Sequence, residues 1–132
     1  ASSTSEVFAI EPANEDGIWH AVAGLEGDAF VAPGLLDAGE CKAMVAAVEA
    51  QLGGKWSTSR HYAVPTTDVQ VHKVGALLPW FNRMLASRIF PALGAQFAVA
   101  PTALRIVDAF VVRYAAGKQR SLPLHQDQSD LS

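Results

Sequence analysis

Cysteine is nearly absent from this chain, which has only Cys41 among its 132 residues. A single thiol excludes an intrachain disulfide and a zinc site built on cysteines, because both need more than one sulfur atom. Cys41 falls on the apolar stripe of a predicted helix, so we expect a small buried side chain and not a nucleophile. One cysteine is compatible with a reducing compartment but does not establish it, and the sequence predicts no localisation.

Clusters of basic residues and long apolar runs are also missing. The chain has 10 Lys and Arg residues against 13 Asp and Glu residues, which gives a formal net charge of -3. A nucleic acid partner is therefore not expected, because phosphate backbones bind to basic patches. No apolar run approaches the ~20 residues of a membrane-spanning helix and no signal peptide opens the sequence, so a membrane partner is not expected either.

The residues that are present suit a globular domain. Hydrophobic residues make up 50% of the chain and charged residues 17%, which is typical of a packed protein and not of a disordered one. A chain of this length can bury a core without disulfides or metals. We therefore predict a single domain over residues 1–132, with residues 1–5 as a disordered terminus.

Local signals predict a mixture of helices and strands. Asp37 and Glu40 have the spacing of a capping box, which predicts a helix over residues 37–51 that Gly53 and Gly54 end. A second helix is predicted from Leu78 to about Phe90, where Pro91 should end or kink it. Alternating apolar residues predict strands at 18–22, 29–31, near 69–74 and, most strongly, at 104–114, followed by an extended segment over 122–127.

Two segments near the C-terminus contain the candidate functional residues. On the strand at 104–114, Tyr114 shares a face with Phe110 and Val112, which we predict to be the interior, while Arg113 lies on the opposite face and should be solvated. Further along, His125 and Asp127 stand two positions apart, so their side chains point the same way on an extended segment. An imidazole and a carboxylate are two members of the 2-His-1-carboxylate triad of non-haem Fe(II) oxygenases.

The order of these residues resembles a known family. The run Phe110-Val-Val-Arg-Tyr114, followed by Ser121-Leu-x-x-His125-x-Asp127, resembles the 2-oxoglutarate- and Fe(II)-dependent dioxygenases of the prolyl and lysyl hydroxylase type. It is most similar to the catalytic domain of procollagen lysyl hydroxylases. The Tyr-x-x-Gly pattern at residues 114–117 is similar to that of the prolyl hydroxylases, but the spacing to the histidine is longer here. The resemblance covers about residues 30 to 132, and only residues 110–127 are specific.

The resemblance implies a fold and a set of site residues. The fold is an α+β double-stranded β-helix, or jelly-roll, in which the two predicted helices flank the barrel and this chain supplies the N-terminal portion. His125 and Asp127 would bind Fe(II), and the Tyr114 hydroxyl would hydrogen-bond the co-substrate 2-oxoglutarate, with ascorbate as an optional further reductant. The implied reaction is hydroxylation of a prolyl or lysyl side chain in a protein or peptide.

The same resemblance implies that the catalytic set is incomplete in this chain. The family has a distal histidine ligand, and soon after it an Arg or Lys that pairs with 2-oxoglutarate, whereas this sequence stops at Ser132. We therefore expect the C-terminal half of the barrel to lie in a longer enzyme or on another chain, and the fragment to be inactive alone. Two other interpretations stay open: a non-catalytic binding or assembly module that keeps the dioxygenase fold, and a cupin-like metal protein of other chemistry.

Each residue of the motif also has an ordinary structural explanation. His125 could be a core histidine, Asp127 a turn or cap residue and Tyr114 a packed aromatic, and only the three together favour a ligand site. The other histidines, His20, His61 and His72, share no ligand spacing and are predicted to be surface or capping residues. Trp56, Arg60, His61 and Tyr62 resemble a substrate-side loop more weakly.

Overall fold

The structure, a computed structural model, describes residues 10–12, 18–58 and 66–131. The predicted disordered terminus at residues 1–5 and the loop residues Arg60, His61 and Tyr62 lie outside the described residues. The chain divides into two compact units, of which the first comprises Ala1–Cys41 and Arg83–Leu104 and the second Lys42–Asn82 and Arg105–Ser132.

The first unit contains a three-stranded antiparallel sheet. Its strands are β1 (Ile10–Pro12), β2 (His20–Val22) and β3 (Phe30–Val31), in the order β1-β2-β3. In register, Ala21 pairs with Glu11 on one side and with Phe30 on the other. The strands predicted at 18–22 and 29–31 are therefore confirmed in shorter form.

The first helix, α1, spans Ala38–Leu52 and begins with the predicted capping box. The Glu40 amide donates to Asp37 Oδ1 at 2.7 Å, and the Asp37 amide donates to Glu40 Oε1 at 3.1 Å. These two bonds satisfy amides that would otherwise lack partners at the helix start. The helix ends as predicted, because Gly53 and Gly54 adopt φ angles of 53° and 87° that favour glycine.

The predicted burial of Cys41 is wrong, since its side chain is exposed. The residues of α1 that pack against the core of the second unit are Met44, Val48 and Leu52, spaced four apart on one line of the helix. Val45 is 53% exposed and only Val48 is fully buried. The buried stripe is therefore narrower than the apolar pattern suggests, and it starts beyond Cys41.

The second helical region runs past its predicted end. It consists of α2 (Leu78–Met84), a π-helical turn (Leu85–Ile89) and α3 (Phe90–Phe97). Pro91 lacks an amide hydrogen and cannot make the ordinary helical bond. The π-turn comes immediately before it, with the Phe90 amide donating to the Leu85 carbonyl. Pro91 then lies in the first turn of α3, so it marks a change of helix type and not an end.

Gly94 is required by the way α3 ends. Ala98 adopts the left-handed conformation, with φ 53° and ψ 44°, and the Val99 amide turns back to donate to the Gly94 carbonyl at 3.1 Å. A Cβ atom at position 94 would lie 2.6 Å from the Val99 carbonyl oxygen and 3.1 Å from Pro101 Cγ. No side chain larger than that of glycine fits there without movement of the backbone.

The second unit is organised around a small apolar core. Its buried members are Val48, Val69, Val71, Val74 and Leu77, all at most 9% exposed. Partly buried side chains packed against them are Met44, Leu52, Trp56, Leu78, Trp80, Phe81, Ala109 and Val111. This core joins α1, the start of α2 and two strands, and it positions the region that carries the predicted motif.

Those two strands are β4 (Asp68–Gln70) and β5 (Phe110–Val112), which pair antiparallel with Val69 opposite Val111. Both are shorter than predicted. Beyond β4 the chain forms a 3-10 turn at Val71–Lys73, and the residues before β5 hold only a 3-10 turn at Pro101–Ala103. The described residues thus combine helices with antiparallel sheets, and the double-stranded β-helix stays a prediction. No described helix has the length and apolar character that crossing a membrane requires.

Candidate functional site

The face of β5 that packs on the core is the opposite of the predicted one. Ala109 and Val111 pack against the core of the second unit, and all four residues from 109 to 112 are partly buried. Tyr114 follows β5 on the same side as Phe110 and Val112, and it is 48% exposed. The face that we predicted to be the interior is therefore not the one that packs on this core, and the exposed Tyr114 side chain is accessible to a ligand.

A turn and an irregular segment follow Tyr114. The Lys118 amide donates to the Ala115 carbonyl at 3.1 Å and the Ala115 amide donates to the Gln119 carbonyl at 2.9 Å, and these two bonds form a turn. No strand forms between Gln119 and Leu131. The positions of His125 and Asp127 are therefore set by the local conformation of an irregular segment and not by strand alternation.

His125 and Asp127 do come together. His125 Nε2 lies 3.3 Å from Asp127 Oδ1, and His125 Nδ1 lies 2.8 Å from the Pro123 carbonyl oxygen. A carbonyl oxygen can only accept a hydrogen bond, so Nδ1 must carry the proton in the second contact. In a neutral imidazole this leaves Nε2 with a lone pair, and that lone pair lies beside a carboxylate oxygen.

With the ring proton on Nδ1, the Nε2 lone pair and the carboxylate oxygen repel each other, and a proton or a metal ion between them would relieve that repulsion. One solution is a second proton, which makes His125 an imidazolium paired with Asp127. The other is a metal ion that both atoms bind. Ligand bonds of about 2.1 Å that meet at a right angle separate two donor atoms by about 3.0 Å, close to the spacing found here. The geometry therefore accommodates either a proton or a metal ion.

The pair lies near the surface. The His125 side chain is 33% exposed and the Asp127 side chain 55%, and Leu124 beside them is fully exposed. Among residues 18–58 and 66–131, no three His, Cys, Asp or Glu side chains lie close enough together to hold a metal ion. His20 belongs to β2 in the first unit and His72 is exposed in a 3-10 turn. An imidazole and a carboxylate thus fit two positions of the Fe(II) triad, and the described residues do not supply the third.

A pocket in the second unit was not predicted from the sequence. It has a volume of about 210 Å3. Its lining residues are Gly54, Trp56, Thr58, Thr67, Arg113, Ala115, Lys118 and Gln119. The Arg113 guanidinium carbon stands 5.7 Å from the centroid of the Trp56 ring, a cation–π contact. Arg113 is partly buried, and its contact with Trp56 was not predicted from the sequence.

The wall of the pocket is fixed by hydrogen bonds between distant parts of the chain. The Arg113 amide donates to the Thr67 carbonyl at 2.8 Å, and the Thr67 amide donates to Gln119 Oε1. Next to Thr67, the buried Thr66 hydroxyl donates to the buried Asp68 carboxylate. These bonds tie the turn at residues 115–118 to the start of β4. The signal that could have indicated the pocket is the alternation of Arg113 with Ala109 and Val111.

The first unit contains a separate ionic contact. Arg88 Nη1 donates to both carboxylate oxygens of Glu40, at 2.7 and 3.0 Å, and lies 3.3 Å from the Leu35 carbonyl oxygen. The hydrogen bond from Arg88, followed by that from the Asp37 amide, lowers the pKa of Glu40 below its ordinary value of 4.5. Glu40 in turn raises the pKa of Arg88. The contact ties the start of α1 to the π-turn and has no counterpart in the predicted motif.

Comparison with known proteins adds no family to this description. No protein-family model matches the chain, and neither the curated proteins nor the solved structures gave a match.

Proposed function

We propose that this chain carries part of the active site of an Fe(II)- and 2-oxoglutarate-dependent dioxygenase that hydroxylates a prolyl or lysyl side chain of a protein or peptide. The observation that carries the proposal is the 3.3 Å approach of His125 Nε2 to Asp127 Oδ1. A metal ion bound by both atoms would neutralise the negative charge of the carboxylate and use the lone pair of the imidazole. The third protein ligand and the rest of the barrel would come from outside the described residues, either in a longer form of this protein or on another chain.

Each residue of the site has a defined task in this proposal. His125 Nε2 and Asp127 Oδ1 bind the metal ion, and the Pro123 carbonyl holds the ring by accepting from Nδ1 at 2.8 Å. Such a second contact fixes the tautomer of a histidine ligand and its orientation. The exposed Tyr114 hydroxyl donates to a carboxylate of 2-oxoglutarate. Fe(II), with 2-oxoglutarate and O2, supplies the oxidative chemistry that replaces a C–H bond of the substrate by C–OH.

A metal titration of this chain tests the proposal directly. Mn(II) binding, followed by electron paramagnetic resonance, should be weak, because two protein ligands hold a metal ion less firmly than three. Added 2-oxoglutarate should tighten Mn(II) binding severalfold, since a chelating co-substrate and the metal strengthen each other's binding reciprocally. His125→Ala and Asp127→Asn should abolish both effects, while Asp130→Asn, which changes an exposed carboxylate three positions further along, should leave them unchanged.

The outcome of the titration separates the alternatives. Metal binding that depends on His125 but ignores 2-oxoglutarate would contradict the dioxygenase and favour a cupin-like metal protein. No metal binding at His125, with or without 2-oxoglutarate, would favour a non-catalytic binding or assembly module. The 55% exposure of the Asp127 side chain is the observation that favours this second function.

A further inference from the structure

The pocket beside Trp56 concentrates positive charge. Arg113 and Lys118 both line it, and no Asp or Glu is among its described lining residues. Neither cation forms an ion pair with a carboxylate among the described residues. A cavity lined by two cations attracts an anion, because opposite charges attract at short range.

The Arg113 side chain contacts Trp56 without using a hydrogen bond. Its guanidinium carbon lies over the Trp56 ring, 5.7 Å from the ring centroid, which is a cation–π contact. The N–H donors of a guanidinium lie in its plane and point outward from its edge, and a cation–π contact uses none of them as hydrogen-bond donors. Those edge donors have no acceptor among the described residues. A carboxylate matches that edge with two parallel hydrogen bonds.

Further donors line the same pocket. Thr58 and Thr67 contribute hydroxyl groups, which can donate to an anion. Trp56 Nε1 is buried and has no hydrogen-bond partner among the described residues. Because this atom is shielded from solvent, it reports on changes in the pocket and is not a donor that a ligand reaches.

The size of the pocket limits what it can take. Its volume of about 210 Å3 corresponds to several water molecules at ~30 Å3 each. A small organic acid fits such a space. Two separate cations, one of them planar, favour a ligand with a flat carboxylate at one or both ends.

We propose that the pocket lined by Trp56, Arg113 and Lys118 binds a small organic carboxylate, such as a four-carbon dicarboxylate. The edge of the Arg113 guanidinium donates hydrogen bonds to one carboxylate, and Lys118 neutralises the remaining charge. This site uses neither His125 nor Asp127 and needs no metal ion, so it can be tested independently of the proposed dioxygenase function.

The test follows the indole N–H signal of Trp56 by 1H–15N NMR, with Trp56→Phe to assign it. The intact chain is titrated with succinate at constant ionic strength in the presence of EDTA, which excludes metal-dependent binding. The Trp56 signal should shift and saturate. Succinamide, which has the same shape without charge, should produce no such shift.

Variants locate the binding site. Arg113→Gln should weaken succinate binding at least tenfold, and Lys118→Gln should weaken it severalfold. Because Lys118 is exposed, its substitution tests the site even if Arg113→Gln disturbs the fold. Lys42→Gln removes an equal charge from the exposed surface of α1, outside the pocket lining, and should leave the affinity unchanged.

Several results would overturn the inference. They are a Trp56 signal that does not saturate with succinate, an equal response to succinamide, and unchanged affinity in both the Arg113→Gln and Lys118→Gln variants. Inorganic phosphate serves as a separate arm of the titration. Tighter binding of phosphate than of succinate would contradict the carboxylate assignment.

Discussion

Arg88 and Glu40 lie 48 positions apart in the sequence, yet Arg88 Nη1 contacts both oxygens of the Glu40 carboxylate. The same carboxylate accepts the Asp37 amide and completes the capping box of α1. Glu40 therefore performs two tasks, one local to the helix start and one that links it to the π-turn. The two tasks can be separated by a substitution that keeps the capping group and removes the charge.

Glu40→Gln should lower the melting temperature at pH 7 and have no effect in acid. The pKa of Glu40 is lowered in the folded protein, first by the hydrogen bond from Arg88 and then by that from Asp37. A lowered folded pKa means that the stabilisation is complete above the ordinary value of 4.5 and is lost as the pH falls through the folded pKa. Gln keeps the capping contact, so the difference reports the ion pair.

Thermal unfolding of the wild type and of the variant, measured from about pH 7 to pH 3, checks this prediction. The difference in melting temperature should also decrease at high salt, because the pair is exposed and its charges are screened. Glu49→Gln, on an exposed site of the same helix, is the matched control and should show no such pH dependence. A Glu40→Gln effect that persisted in acid would assign the loss to the cap and not to the charge.

Gly94→Ala should destabilise the protein by about 1–3 kcal/mol, the usual cost of forcing extra atoms into a packed site. The added Cβ would lie 2.6 Å from the Val99 carbonyl oxygen, and backbone must move to relieve that contact. Urea denaturation measures the effect. Gly75→Ala is the control, because a Cβ there meets nothing within 4 Å, so this variant should be neutral or slightly more stable. Equal stability of the two variants would contradict the close approach at Gly94.

Val74→Ala should cost roughly 2 kcal/mol of unfolding free energy, from two lost methyl groups and the cavity that they leave. Val74 is 0% exposed and belongs to the core of the second unit. Val107→Ala removes the same groups from a side chain that is 80% exposed, so its effect should be small. Urea denaturation of both variants gives the comparison. Similar losses at the two positions would mean that the core of the second unit is not formed by these residues.

The features that the sequence predicts correctly are those set by near neighbours. The capping box at Asp37 and Glu40 and the glycine end of α1 each depend on residues within one turn, and both are confirmed. Pro91 was predicted to end or kink the helix, and it does not end it, because the helical region continues through a π-turn at Leu85–Ile89 that no local propensity indicates. Cys41 was misjudged because burial depends on what the helix packs against.

The candidate site shows the same division. Alternation along β5 separates Phe110 and Tyr114 from Val111 and Arg113 correctly, but it does not say which face is buried. The buried face is identified by the contacts of Ala109 and Val111 with the core of the second unit. Arg113, on the same side, contacts Trp56, which lies 57 positions earlier in the sequence. The approach of His125 to Asp127 was predicted from strand geometry and is found in a segment without a strand. The third ligand of the proposed metal site stays a prediction.

The protonation of the His125 ring distinguishes a metal-binding histidine from a simple ion pair. The contact of Nδ1 with the Pro123 carbonyl predicts that the neutral ring carries its proton on Nδ1 and has its lone pair on Nε2. Long-range 1H–15N NMR, at a pH at which the ring is neutral, reads the tautomer directly. Added Zn(II) should then perturb the Nε2 resonance and leave the Nδ1 proton in place, and Asp127→Asn should weaken that response. A neutral ring protonated on Nε2 would point that proton at Asp127 Oδ1, which is 3.3 Å away, and the pair would then be a plain hydrogen bond with no need of a metal ion.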